Sequence, residues 1–298
     1  APGRTVQQMG AFYRSGEYSE CTDMSKYDSC VTERHMVAML AVYRYLRFPA
    51  PVIVALEKGI KTVCRFRNGY VIEPEIPRRT SGHPNTTFEN TVLNILLHRF
   101  SVYTVSGITG LNKMSIMAGG DDVLMQGVDS GSYVDILTKM GFDVKRSKCE
   151  PGHADFYSGL FVPTDVGLIL TPQLGKFLRK FGLRTGRPLD DKGQKAWLRG
   201  VCLANKAVFS HVPFMVAIFD KLLACAGDSG PVVDIHFYFK ENYLYTDDLR
   251  PKATLETESF LAEHYGVSLA GLHRIFENYD GGKFRFNDPT VQILIDKD

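Results

Sequence analysis

The sequence predicts an α+β fold in which an antiparallel sheet carries helices. Two observations point to it. Segments whose apolar residues recur at helical spacing alternate with hairpin signals, and none of the regular strand–helix crossovers of a doubly wound sheet is visible. The composition is that of a packed chain: of 298 residues, 44% are hydrophobic and 23% charged, so a sizeable core can be buried and disorder is excluded.

Taken in order, residues 17–23 predict a strand ending in Asp23. Residues 31–47 carry Val31, Met36, Met39, Leu40, Tyr43 and Leu46 at helical spacing, with Pro49 and Pro51 expected to end that helix. Residues 60–67 and 70–72 flank Asn68-Gly69, a pair that suits a type I′ hairpin turn because both residues tolerate positive φ. Residues 86–100 read as a helix. Segments 113–118 and 123–128 form a second hairpin, with Gly119-Gly120-Asp121-Asp122 at its tip. A helix over 130–140 is stopped by Gly141. A third hairpin joins 154–162 to 166–170 around Pro163-Thr164-Asp165. Thr171 is placed to cap a helix that starts at Pro172 and ends at Gly182. Residues 190–226 and 254–278 are helical, and Asp190-Asp191 marks a helix N-terminus. The aromatic run 236–245 reads as a packed strand in preference to a base-stacking surface. Asp247-Asp248 reads as a loop and Trp197 as core.

The net charge of +2 does not single out a nucleic-acid binder, so any such surface must come from local clusters. These are Arg65 and Arg67, Arg78 and Arg79, Lys145-Arg146-Ser147-Lys148, and 176–187. The six cysteines form no C-x-x-C pair and no zinc-finger spacing with histidine, which suits scattered thiols in a reducing compartment. The eight histidines show no ligand spacing. No run of about 18 apolar residues marks a transmembrane helix. The opening Ala-Pro-Gly-Arg-Thr has neither an initiator methionine nor a signal peptide, and suggests a start inside a longer protein.

Three segments carry chemistry. Gly120-Asp121-Asp122 at a hairpin tip places two carboxylates near one spot. Two such charges about 4 Å apart repel by ~1 kcal/mol in water and ~4 kcal/mol at intermediate dielectric. A site that keeps both ionised needs a cation, and hard oxygen donors suit Mg²⁺ or Mn²⁺. Asp23 at a strand end supplies a third acid, with Asp28 five residues on. Together Asp23 and Asp121 could clamp two ions about 3.5–4 Å apart, as in-line phosphoryl transfer uses. Between them, Ser81-Gly82-His83-Pro84-Asn85-Thr86 leads into a helix on which Thr86 and Asn90 share a face.

In that order, D-x4-D, S-G-x3-T-x3-N and G-D-D resemble motifs A, B and C of the palm of positive-strand RNA virus RNA-dependent RNA polymerases, nearest to the nodavirus- and tombusvirus-like groups. Segment 141–148 resembles motif D and 155–161 resembles motif E. The likeness covers about 150 residues by motif and the rest by position only. It implies a right-hand polymerase: palm over 1–57 and 81–171, a partial fingers insertion over 58–80, and a mostly helical thumb over 172–298. The activity implied is template-directed RNA synthesis.

By this resemblance Asp23 and Asp121 are the principal metal ligands, with Asp122 accessory. Asp28, Ser81, Gly82, Thr86 and Asn90 would bind the nucleotide. The motif D lysine would protonate the departing pyrophosphate; spacing favours Lys148 over Lys145. Arg65, Arg67, Arg78, Arg79 and Ser158 would contact RNA. The cofactor is two Mg²⁺ or Mn²⁺ ions. The partners are template and nascent RNA, nucleoside triphosphates, an N-terminal part of the same polymerase missing here, and a replication complex on host cytoplasmic membranes. With only 22 residues before Asp23, the main fingers would be absent and the chain inactive alone.

Three competing readings share parts of the pattern. A reverse transcriptase shares the acids, but an Asp28–Asn90 pair suits a ribose. A metal-dependent nuclease or phosphatase has no need for the 81–91 loop. A non-catalytic RNA-binding viral fragment predicts no metal dependence.

Overall fold

The computed structural model describes residues 5–61, 63–73, 77–80, 84–129, 131–184, 186–228, 230, 250–277 and 288–298. Ser81, Gly82, His83, the 236–245 run and Asp247-Asp248 lie outside the described residues. The chain divides into two compact units. One holds Arg14–Tyr157; the other holds Thr5–Tyr13 with Ser158–Asp298. The first helix, α1 (Val6–Phe12), belongs to the second unit.

The first unit is built on a four-stranded antiparallel sheet. Its strands are β1 (Ser19–Met24), β4 (Ser115–Gly119), β5 (Asp122–Gln126) and β6 (Val144–Lys148), in the order β4-β5-β1-β6. The expected strand over 17–23 and the Gly-Gly-Asp-Asp hairpin are both present. β6 was not foreseen as a strand: it is an edge strand whose Lys145, Ser147 and Lys148 face solvent, so it lacks an apolar alternation.

Helix α2 (Tyr27–Cys30) follows β1, and α3 (Glu33–Tyr45) starts at a capping box between Thr32 and His35. Pro49 and Pro51 do not simply end a helix. They begin another, α4 (Ala50–Gly59), with Pro49 at the N-cap and Pro51 in its first turn, where the missing N–H costs nothing. A short hairpin, β2 (Cys64–Arg65) and β3 (Val71–Ile72), comes next. Its turn is not type I′, because only Gly69 has positive φ (84°). The Gly69 N–H returns to the Phe66 carbonyl and the Phe66 N–H to the Tyr70 carbonyl, the pattern of a type I turn closed by a glycine bulge.

Helix α5 (Thr86–Lys113) runs well past the expected end at 100, with a break in helical geometry at Gly107. It packs on β4 and on α6 (Ser132–Lys139), which Gly141 closes at φ 95°. Met24, Tyr27, Met39, Leu97, Met125, Leu137 and Phe142 are among the side chains of this core. Truncating a fully buried one such as Leu137 to alanine costs roughly 2–5 kcal/mol. Glu20 is also fully buried; its carboxylate accepts from Arg146 Nε at 2.6 Å, from Tyr18 at 2.8 Å and from Tyr133. Strand β7 (Asp155–Phe156) lies beside β5.

In the second unit β8 (Gly159–Thr164) pairs with β9 (Gly167–Pro172), and α1 packs on β9. The turn falls at Asp165-Val166, one to two residues beyond the expected centre at Thr164, because Pro163 lies within the strand opposite Leu168. Thr171 does not cap a helix. It and Pro172 finish β9, Thr171 Oγ1 bonds His211 Nε2 at 2.7 Å, and α7 (Leu174–Lys180) starts from Gln173. The helical stretches resolve into pairs. Helices α8 (Asp191–Val208, capped by Asp190) and α9 (Pro213–Ala226) are followed by α10 (Leu255–Tyr265) and α11 (Leu269–Glu277), which part at Gly266. A last helix, α12 (Pro289–Lys297), was not foreseen. Phe177, Phe181, Phe209 and Phe219 cluster in the core of this unit, while Trp197 is only half-buried.

Candidate active site

The site grows from the end of β1. In the β1–β5 register Thr22 faces Val123, so one step further Asp23 stands level with Asp122. Facing residues of an antiparallel pair have Cα atoms about 4.5–5.5 Å apart. On its other side Asp23 faces Lys145 of β6. The β4–β5 hairpin closes with Gly119 opposite Asp122, leaving Gly120-Asp121 as a two-residue turn. Gly120 sits at φ 65°, a conformation that favours glycine at the first turn position. Asp23 and Asp121 are exposed and Asp122 is half-buried. The register therefore brings the three acids to the same end of the neighbouring strands β1 and β5, although Asp121 lies 98 positions after Asp23 in the sequence.

Helix α5 braces the turn from behind. Thr91 Oγ1 accepts the Gly120 N–H at 2.8 Å while donating to the Thr87 carbonyl at 2.7 Å. Asn94 Nδ2 donates to the carbonyls of both Gly120 and Asp121, at 3.0 and 3.1 Å. One turn on, His98 is wholly buried between the Asn94 carbonyl and Thr22 Oγ1, each 2.9 Å away. A carbonyl only accepts, so Nδ1 carries the proton and Nε2 accepts from Thr22. Burial pushes this imidazole down to about 4.

Tyr157 covers the other side of the hairpin. A Cβ on Gly119 would fall 1.4 Å from its hydroxyl oxygen, so any larger residue there would displace the Tyr157 ring. Burial, with the negative charge of Asp122 and Asp121, pushes the Tyr157 phenol up to about 12.

Beside Asp121 opens a cleft of about 550 Å³, lined by Lys26, Tyr27, Asp28, Ser29, Thr86, Thr87, Asn90, Gly120 and Asp121. It brings together Asp28, Thr86, Asn90 and Asp121 from three separate sequence motifs. Asn90 Nδ2 donates to Asp28 Oδ1 at 2.6 Å. Asn90 Oδ1 is buried and has no hydrogen-bond partner among the described residues. Burial holds the neighbouring Tyr27 phenol firmly protonated.

Other expected residues fare differently. Lys148 lies three residues up β6 from Lys145, opposite Glu20, and its ammonium rests 3.3 Å from Asp129. The register thus favours Lys145, not Lys148, as the lysine beside Asp23. Arg65 and Arg67 are exposed on the β2–β3 hairpin and Arg78 is half-buried. Arg79 does not face solvent as expected. Its guanidinium pairs inside the unit with Glu89, and the two side chains are 6% and 5% exposed. Tyr43 and Asn85 also donate to Glu89, so this carboxylate is compensated by its neighbours. Ser158 is exposed at the start of the second unit.

Thr91, Asn94, His98, Lys26 and Tyr157 were not foreseen. The first three form a polar stripe at three- and four-residue spacing with Thr87 and Asn90, on a helix whose Leu93, Leu97 and Val102 pack the core. That stripe was visible in the sequence.

Helices packed on an antiparallel sheet, a Gly-Asp-Asp hairpin beside a strand-end aspartate, and a cleft beside Asp121 are the palm of a nucleic-acid polymerase. Residues 5–212 match the family described as RNA dependent RNA polymerase, and the chain belongs to that family. The crystal structure of the RNA-dependent RNA polymerase of a human picorbirnavirus superposes with a TM-score of 0.58 at 13% identity, covering 99% of this chain and 54% of that one. The structure of an insertion loop deletion mutant of that enzyme gives 0.56 at 12% identity, covering 98% and 52%. The chain spans about half the length of these solved structures. No curated protein matches it. Neither finding assigns it to the nodavirus- or tombusvirus-like groups. Among the described residues no helix is long and apolar enough to cross a membrane.

Proposed function

We propose that this chain carries the catalytic palm of a viral RNA-directed RNA polymerase, which transfers nucleotides from nucleoside triphosphates to an RNA 3′ end on an RNA template, releasing pyrophosphate. The observation that carries this reading is the cleft in which Asp28, Thr86, Asn90 and Asp121 converge. Its volume falls within the range of about 300–1,000 Å³ common for small-ligand sites. In this reading residues 58–80 are part of the fingers and 172–298 the thumb.

The donor set fits hard divalent ions: three carboxylates at neighbouring strand ends, two of them open to solvent. Asp23 and Asp121 would hold two Mg²⁺ or Mn²⁺ ions, with Asp122 accessory. Bound there, such ions activate the attacking 3′-hydroxyl and offset charge on the leaving oxygen.

The chain's own residues position the substrate. Asp28 fixes the Asn90 amide, leaving Asn90 Oδ1 to accept from a ribose 2′-hydroxyl. A site built around that hydroxyl discriminates against deoxynucleotides, because its polar atoms would lose their partner. Lys26 at the cleft wall offers a positive charge to the triphosphate. Lys145, beside Asp23, is the proton donor we assign to the departing pyrophosphate. Arg65, Arg67 and Arg78 supply phosphate contacts, Thr86 with Ser81 and Gly82 contacts to nucleotide and template, and Ser158 a contact to the growing strand.

The test is primer extension on an RNA template with Mn²⁺, run with this chain within its full-length protein, comparing ribo- with deoxynucleotides. Asp121→Asn should abolish extension while leaving the circular dichroism spectrum unchanged. Wild-type turnover by that variant would overturn the assignment. A preference for deoxynucleotides would transfer it to a reverse transcriptase.

A further inference from the structure

A second group of ligand-bearing side chains lies on β1, away from the catalytic acids. Cys21, in the middle of that strand, is half-buried, and its Sγ is 3.3 Å from Cys149 Sγ, just past the end of β6. The backbone holds the pair in place: the Cys149 N–H donates to the Ser19 carbonyl at 3.0 Å. Asp155, at the start of β7, brings its carboxylate oxygen within 3.4 Å of Cys21 Sγ and its carbonyl oxygen within 2.9 Å. The sulfur of each cysteine and a carboxylate oxygen of Asp155 all lie within 4.8 Å of one another. They come from points 128 and 134 residues apart along the chain.

We propose that Cys21, Cys149 and Asp155 form a binding site for a thiophilic divalent cation of the zinc class. Tetrahedral zinc with bonds of about 2.3 Å to sulfur and about 2.0–2.2 Å to oxygen spaces its ligand atoms by about 3.5–3.8 Å. The 3.3 Å sulfur–sulfur and 3.4 Å sulfur–oxygen separations are within a few tenths of an ångström of that. A disulfide would instead need sulfurs about 2.05 Å apart. Two thiolates with one carboxylate also suit zinc better than magnesium, which takes oxygen donors. Water completes the fourth position, and binding releases the two thiol protons to solvent.

The site is separate from the catalytic one. Cys21 and Asp23 lie on the same face of β1 two residues apart, about 6–7 Å at strand rise. The Asp23 carboxylate is nevertheless not among the ligand atoms that converge within 4.8 Å of one another, which are those of Cys21, Cys149 and Asp155. Its effect is structural: it ties the strand bearing Asp23 to the segment leading to Tyr157, which packs over the Gly-Asp-Asp hairpin.

The test is a titration of the full chain with Co²⁺ under a phosphine reductant. A near-ultraviolet thiolate-to-cobalt charge-transfer band should saturate at one equivalent and be displaced by Zn²⁺. It should vanish in Cys21→Ser and Cys149→Ser, and persist in Asp121→Asn, Cys30→Ser and Cys225→Ser. Asp155→Asn should weaken binding while keeping the band. No band, a band that survives Cys149→Ser, or an intact mass two hydrogens lighter in place of metal binding would each overturn the proposal. Because Asp121→Asn is expected to keep the band and lose catalysis, failure here and failure of the polymerase reading are separately visible.

Discussion

Thr91→Val isolates the brace on the catalytic turn. The substitution exchanges a hydroxyl for a methyl of similar shape at a side chain that is nearly buried. The Thr87 carbonyl keeps a partner through the helix. The Gly120 N–H loses the acceptor that Thr91 Oγ1 provides at 2.8 Å. An unsatisfied buried donor costs about 1–3 kcal/mol, and because this turn borders an open cleft, water can replace part of the bond, so about 1–2 kcal/mol of stability should go. The larger effect is on chemistry. Asp121 is the next residue after Gly120, and displacing a reacting group by about 1 Å can cost on the order of 100-fold in rate. Urea denaturation and single-nucleotide addition at saturating metal should therefore show a modest fall in midpoint. The addition rate should drop roughly ten- to 100-fold, with KM for the nucleotide little changed because the Asp28–Asn90 pair is untouched. Thr91→Ser keeps the hydroxyl and should recover most of the rate. A valine variant with wild-type rate, or a serine variant as impaired as the valine, would refute the brace.

Three further outcomes follow from the geometry. Asn90→Ala should reduce the preference for ribo- over deoxynucleotides by about two- to 13-fold, the worth of one hydrogen bond of about 0.5–1.5 kcal/mol, measured as the ratio of kcat/KM values. Glu89→Gln removes the anion from buried Arg79 and should destabilise the first unit by roughly 3–5 kcal/mol in urea melts. The pH dependence has a defined sign. His98 titrates near 6.5 when unfolded but near 4 when folded, so its contribution is complete above about 6.5 and is lost as pH falls from there toward 4. That amounts to on the order of 3 kcal/mol. Melts near neutrality and near pH 5 should differ by about 2 kcal/mol, the part of that loss complete by pH 5, and His98→Gln should flatten the difference. A wild-type stability that rises on acidification would contradict this.

What the sequence revealed and what it hid divide along physical lines. The Gly119–Asp122 hairpin and the Thr86–Asn90 helix start were legible, because turn chemistry and helical spacing are local. Pro49 and Pro51 were read as stops, although proline equally opens a helix. Strand β6 escaped because an edge strand rich in lysine shows no apolar period. Arg79 was grouped with Arg78 as a surface cluster; Glu89, ten residues away on the next helix, takes it inside. Spacing from Gly141 favours Lys148 over Lys145, whereas the strand register, which spacing does not show, sets Lys145 against Asp23. The Cys21–Cys149–Asp155 convergence has no short-range signature at all.

The central claim is that Asp23 and Asp121 hold metal together. The most direct measurement is anomalous diffraction from a crystal of this chain soaked in Mn²⁺ with a nucleoside triphosphate. The account predicts a peak bonded to carboxylate oxygens of both residues at roughly 2.1–2.2 Å, close to the spacing of Mg²⁺ sites. A peak bonded to only one of them, or none in the cleft, would contradict it.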